Sequence, residues 1–186
     1  MANLRHITID WTYPRLLSEY NSHPSKDEFG VYYISRCIYY ADHTDETPVY
    51  IGKTRQPFKD RMYQHFYDDK EFLHKRGELY VRFGRIVKPQ DLSSYGSLDY
   101  DFDRLLLTIE SGIIYELQEL ECKVSRNLTN IQQKWTYTRW FDLELENIGY
   151  RGLVPSKIFN RNHFTMNYTI KYRVGSMRIG RNDASG

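Results

Sequence analysis

The chain has 186 residues, 26 Lys and Arg against 24 Asp and Glu, a mean hydropathy of −0.68 and 40% hydrophobic residues. That length fits one domain with appendages, and the absence of any long apolar run excludes a membrane-spanning helix. Cys37 and Cys122 are too few for a disulfide framework, no Cys/His set has zinc-finger spacing, and Met1–His6 lacks a signal peptide's apolar stretch, so a cytoplasmic protein is expected.

Residues 1–29 mix polar and aromatic side chains and end in a polar loop around Pro24. Residues 30–40, Gly-Val-Tyr-Tyr-Ile-Ser-Arg-Cys-Ile-Tyr-Tyr, are β-branched and aromatic and predict a strand. Ala41–Pro48 is a polar turn, and Val49-Tyr50-Ile51 a second strand stopped by Gly52, so the two make a hairpin. Thr54 can cap a helix that begins near Pro57, with Phe58, Met62 and Phe66 as its apolar stripe. Arg61 and His65, four apart, point the same way from a neighbouring face.

Leu79–Val87 returns to strand character, and 88–103 is a long polar loop. A helix then runs from about Asp103 to Lys123, its buried stripe marked by Leu106, Ile109, Ile113, Leu117 and Leu120. Glu110 falls on that stripe. A carboxylate there is either paired with a buried Arg or Tyr or is a metal ligand. After a loop at 125–130, residues 131–149 are irregular. Residues 163–174 alternate between an apolar face and a basic one (Lys171, Arg173), which predicts a strand.

The charge is uneven along the chain. Residues 150–186 carry a net +6 and the rest −4. The basic tail is either a polyanion contact or a solvated, solubilising segment. Lys157, Asn160, Arg161, Lys171 and Arg173 are the candidates for DNA contact there. Asn160, Arg161 and Asn162 have side chains able to read base edges, and equally able to form turns.

Two tyrosines, a cation and a carboxylate gathered in one region are parts that phosphodiester hydrolysis uses. A water must lose a proton, charge builds on the non-bridging oxygens, and the leaving oxygen needs stabilising. An arginine fork suits phosphate oxygens. A single glutamate can hold Mg²⁺ that keeps most of its waters. A tyrosine serves as a base only if its phenol is shifted far down or the proton passes through a metal-bound water.

Gly30-Val31-Tyr32-Tyr33-Ile34 and Tyr50-Ile51-Gly52-Lys53-Thr54 resemble the two motifs of the GIY-YIG nuclease family, and Arg61, His65, Glu110 and Asn130 match its further site positions. The resemblance covers about residues 29–132. It implies an α+β fold: a small three-stranded, mainly antiparallel sheet flanked by helices, with an N-terminal extension (1–28) and a basic C-terminal extension (133–186). It also implies hydrolysis of double-stranded DNA to 5′-phosphates with Mg²⁺, or Mn²⁺ in its place. Tyr32 would be the base or water-positioning group, and Tyr50 would orient phosphate or water. Arg61 would stabilise charge and His65 assist proton transfer. Glu110 would hold the metal, and Asn130 would order the site, with Asn127 competing for that position. Lys53 either touches phosphate or is solvated. The short chain favours a restriction-type homodimer over a homing or repair enzyme. A non-catalytic nucleic-acid-binding module with the same fold, Glu110 paired with Arg61, is the alternative.

Overall fold

The computed structural model describes residues 5–42, 44–68, 78–87, 98–119 and 143–160. Their elements in chain order are β1 (Arg5–Trp11), β2 (Arg15–Leu16), a 3₁₀ turn (Leu17–Ser22), β3 (Gly30–Tyr39), β4 (Thr44–Thr54), α1 (Phe58–Tyr63), a π-helical turn (Gln64–Asp68), β5 (Glu78–Val87), α2 (Leu98–Glu119), β6 (Leu143–Gly149) and β7 (Lys157–Asn160). The α+β class stands, but the small three-stranded sheet does not. Seven strands form one sheet in the order β4-β3-β5-β1-β6-β7, with β2 beside β5. Neighbours are antiparallel except β1 and β6, which run parallel with Ile7 opposite Leu145.

Both faces of the sheet are used. One carries Ile7, Ile9, Trp11, Val31, Tyr33, Ile51, Leu143, Leu145 and Ile158 against Leu105, Leu106, Ile109, Ile113, Ile114 and Leu117 of α2. The other packs Tyr32, Ile34, Val49, Val81 and Phe83 against Phe58 and Met62 of α1 and Leu17 and Tyr20 of the 3₁₀ turn. A strand covered on both sides reads as continuous apolar sequence, and Val31-Tyr32-Tyr33-Ile34 is such a run, every side chain fully buried.

The hairpin forms with more strand than expected. β4 starts at Thr44, so Thr44–Pro48 is ladder rather than turn. The register slips at Ile34/Ser35: Ile34 faces Tyr50, while Ser35 faces Pro48, leaving Val49 as an extra residue. Such a bulge re-aims its neighbours. Val49 and Tyr50, consecutive in sequence, consequently both pack on the α1 face.

Other expectations are corrected. α2 begins at Leu98, within the stretch expected to be loop. Asp99 and Asp101 make that segment look polar in sequence. Residues 143–149, expected to be irregular, form β6, and Asn160, equally able to form a turn, ends strand β7. The alternation of β6 is disguised because its third inward residue is Asn147. It is buried, accepting from Trp11 Nε1 (2.9 Å) and donating to the Pro155 carbonyl (2.9 Å). Thr54 does not cap α1; its hydroxyl bonds both the N–H and the carbonyl of Gln56, and the helix starts after Pro57 with no side-chain cap. The alternating segment 163–174 lies outside the described residues.

Candidate active site

Tyr32 lies at the middle of the cluster. It leaves β3 opposite Gly52 of β4, and its ring lies directly over that glycine. A Cβ at Gly52 would stand 2.2 Å from Tyr32 Cζ and Oη, so no other residue fits beneath the phenol. Gly30 is required for a similar reason: its φ is +147° and a Cβ there would stand 2.4 Å from the Gly84 carbonyl oxygen. The two motif glycines thus close the β4-β3-β5 packing around one buried phenol.

The Tyr32 hydroxyl is 2.6 Å from His65 Nε2 and 3.3 Å from Arg61 Nε. Arg61 Nε–H can only donate, so the phenol oxygen accepts from it. A phenol proton directed at His65 Nε2 goes with the imidazole tautomer protonated on Nδ1. Tyr50 stacks on Tyr32, with centroids 5.9 Å apart and rings 12° from parallel, and meets His65 edge-on at 5.2 Å. His65 is buried although it sits on a helical surface. The π turn that begins at Gln64 carries it, and such turns recur at functional sites.

Burial above all, and then Tyr50, pushes the Tyr32 phenol well above its ordinary value, with Arg61 pulling only partly the other way. The phenol is therefore not lowered into a ready phenolate. It remains a protonated group with His65 Nε2 at hydrogen-bond distance, 2.6 Å.

Glu110 arrives from the opposite side of the sheet. β4 is an edge strand, and the Lys53 backbone N–H bonds the Glu110 carboxylate across that edge. Burial pushes the Glu110 carboxyl up to about 7, against the downward pull of Lys53 and Arg61. The residue is only 4% exposed, and its Oε2 has no hydrogen-bond partner among the described residues. A buried carboxylate oxygen left open suits a hard cation or its water. Among the described residues no group of three or more His, Cys, Asp or Glu converges, so a cation at Glu110 would take its other ligands from water and substrate oxygens.

The structure therefore brings Tyr32, Tyr50, Arg61, His65, Lys53 and Glu110 together. Lys53 acts on Glu110 both through its charge and through its backbone. Lys157 and Asn160 sit on β7, the other edge of the sheet, roughly 24 Å away at the usual strand spacing. Lys157 there shares a shallow pocket with Glu144 and Glu146. Asn130, its competitor Asn127, and Arg161, Lys171 and Arg173 lie outside the described residues.

Two glutamines escaped the sequence reading. Gln64 Oε1 accepts from Arg61 Nη1 at 3.0 Å, and Gln64 Nε2 donates to Gln56 Oε1 at 3.2 Å. The spacing of Gln64, three after Arg61, was the available signal. A buried pair beneath the hairpin, Arg82 with Glu46 and Ser35, also went unread because Glu46 looked like a turn residue. No helix among the described residues is long and apolar enough to cross a membrane. No protein-family model matches the chain, and neither a curated protein nor a solved structure matches it.

Proposed function

We propose that this chain is a metal-dependent DNA endonuclease of the GIY-YIG type, restriction-like and acting as a homodimer on double-stranded DNA. One observation carries the reading. Side chains from β3, β4, α1 and α2, up to 78 residues apart in sequence, meet around a single phenol that is bonded at once to an imidazole and a guanidinium.

In this reading the proton path runs through residues already in contact. As the Tyr32 oxygen takes a proton from the attacking water, its own proton passes to His65 Nε2 at 2.6 Å. No free phenolate has to form, which suits a phenol held above its ordinary value. Arg61, anchored at Nε by Tyr32, lies where its fork can meet the non-bridging oxygens as they gain charge. Tyr50 holds the Tyr32 ring in place by stacking. Glu110 would hold Mg²⁺ or Mn²⁺ through Oε2, and the bound cation would stabilise the leaving oxygen. One such site cuts one strand, so cleavage of both strands calls for two copies related by a two-fold axis.

The binding-module alternative needs a carboxylate neutralised by pairing. The open Oε2 of Glu110 speaks for a ligand-holding site instead. The test is to incubate the purified chain with plasmid or phage DNA in Mg²⁺ and in EDTA. Discrete fragments with Mg²⁺ alone are expected. A salt-sensitive mobility shift without cutting would transfer the weight to the binding module.

A further inference from the structure

An arginine side chain has four rotatable bonds, and fixing them costs rotamer freedom. A guanidinium that stabilises a transition state must be in place beforehand. In this structure its anchorage extends well beyond Tyr32. Arg61 Nη1 donates to Gln64 Oε1 (3.0 Å), Gln64 Nε2 donates to Gln56 Oε1 (3.2 Å), and the Gln56 backbone is gripped at both N–H and carbonyl by Thr54 Oγ1 (3.0 Å each). The chain of bonds runs from the end of β4 to the reacting phenol.

We infer that Gln64, backed by Gln56 and Thr54, is the positioning residue for Arg61, an inference that rests on the endonuclease reading. Three features argue for it. Gln64 and Arg61 are three apart, so they are neighbours on one helical face. The Gln64 N–H is shared between the Asp60 and Arg61 carbonyls at the point where α1 passes into the π turn, which fixes its backbone. The donor-only guanidinium of Arg61 sets which way the Gln64 amide lies, and Gln56 Oε1 accepts from its other end. A reversed amide would put its NH₂ against Arg61 Nη1, donor to donor. Glutamine also suits the task chemically. It accepts from the guanidinium without cancelling the positive charge that phosphate must feel, as a glutamate would.

The experiment measures kcat and KM for plasmid cleavage in Mg²⁺ by Gln64→Leu, Gln64→Glu and Gln56→Leu, with Gln64→Leu repeated in an Arg61→Lys background. Gln64→Leu is expected to lower kcat about 10-fold to 30-fold with KM within about twofold, since misplacing a charge by an ångström costs up to about 100-fold. In the Arg61→Lys background the same change should cost less than about twofold, because residues acting through one another are not additive. Gln64→Glu should retain the anchoring and still lose kcat. The ¹⁵N-labelled Arg61 Nε–H signal gives a readout free of activity: slow to exchange in the wild type and in Gln64→Glu, fast in Gln64→Leu. Full turnover by Gln64→Leu, an equal loss in both backgrounds, or an unchanged Nε–H signal would each overturn the inference. A wild-type chain that cuts no DNA under any Mg²⁺ condition would instead remove the endonuclease reading on which it stands.

Discussion

Glu110 and Tyr32 carry opposite burdens at the level of single residues. Glu110 is a carboxyl whose folded value, about 7, lies above its ordinary 4.5. The folded state then holds the proton more tightly than the unfolded one. This contribution to stability is fully present below pH 4.5 and is lost as pH rises through 7, on the order of 3 kcal/mol in all. Urea unfolding in EDTA from pH 4.5 to 8 should show that loss in the wild type. The same series in Glu110→Gln should lack it, and a wild-type curve parallel to the variant's would contradict the buried carboxyl. Mg²⁺ at pH 8 should raise the wild-type midpoint and leave Glu110→Gln unmoved, while DNA binding persists in the variant and cutting stops. Arg61→Lys should slow cutting at least about 100-fold, because a point charge keeps neither the bond to Tyr32 nor the fork; steady-state rates check it. Glu110 was legible from the sequence because a charge on an apolar helical stripe is a local contradiction. The state of Tyr32 was not, since the depth that raises its phenol is a property of three strands and a helix together.

Elements with a self-contained pattern were the readable ones. The β3–β4 hairpin, α1 and β5 each carry their own periodicity, and the motif residues fell where that periodicity put them. The bulge at Val49 left no local mark, and neither did the π turn, because both arise from how neighbours accommodate one another. β6 was hidden by Asn147, a polar side chain at an inward position whose justification, the indole of Trp11, lies 136 residues away. The tightest constraint at this scale is the seat of Tyr32 on Gly52. Gly52→Ala drives a methyl into Cζ and Cε2 of the ring, at 2.2 and 2.6 Å. The change should destabilise the protein by about 2–3 kcal/mol and abolish cutting by swinging the phenol off His65. Adding Tyr32→Phe should not restore stability, since the ring carbons still clash. Thermal unfolding of the single and double variants tests this, and a double variant as stable as Tyr32→Phe alone would count against the contact.

The whole molecule depends on the segments that flank the motif region. Ile7, Ile9 and Trp11 of β1, with Leu143, Leu145, Val154 and Ile158 from the other end, complete the core under α2. β1 stands between β5 and β6. A fragment of residues 29–132 would expose that face of α2 and the open edge of β5, forfeiting about 1.5–3 kcal/mol for each large side chain laid bare. It is expected to give the NMR dispersion of an unfolded chain, and a well-dispersed spectrum would refute this. No local pattern announces that arrangement, because a parallel pairing between residues 5–11 and 143–149 is visible only once both strands are placed.

That pairing bears on how the protein is made. β1 holds an interior place in the sheet, yet its parallel neighbour is translated 138 residues after it, Arg5 pairing with Leu143. A sheet with so distant a pairing folds slowly and only after synthesis has passed it. On the endonuclease reading, a chain translated short of β6 has no armed site, and cutting power arrives all at once when that strand joins β1 instead of growing with the nascent chain.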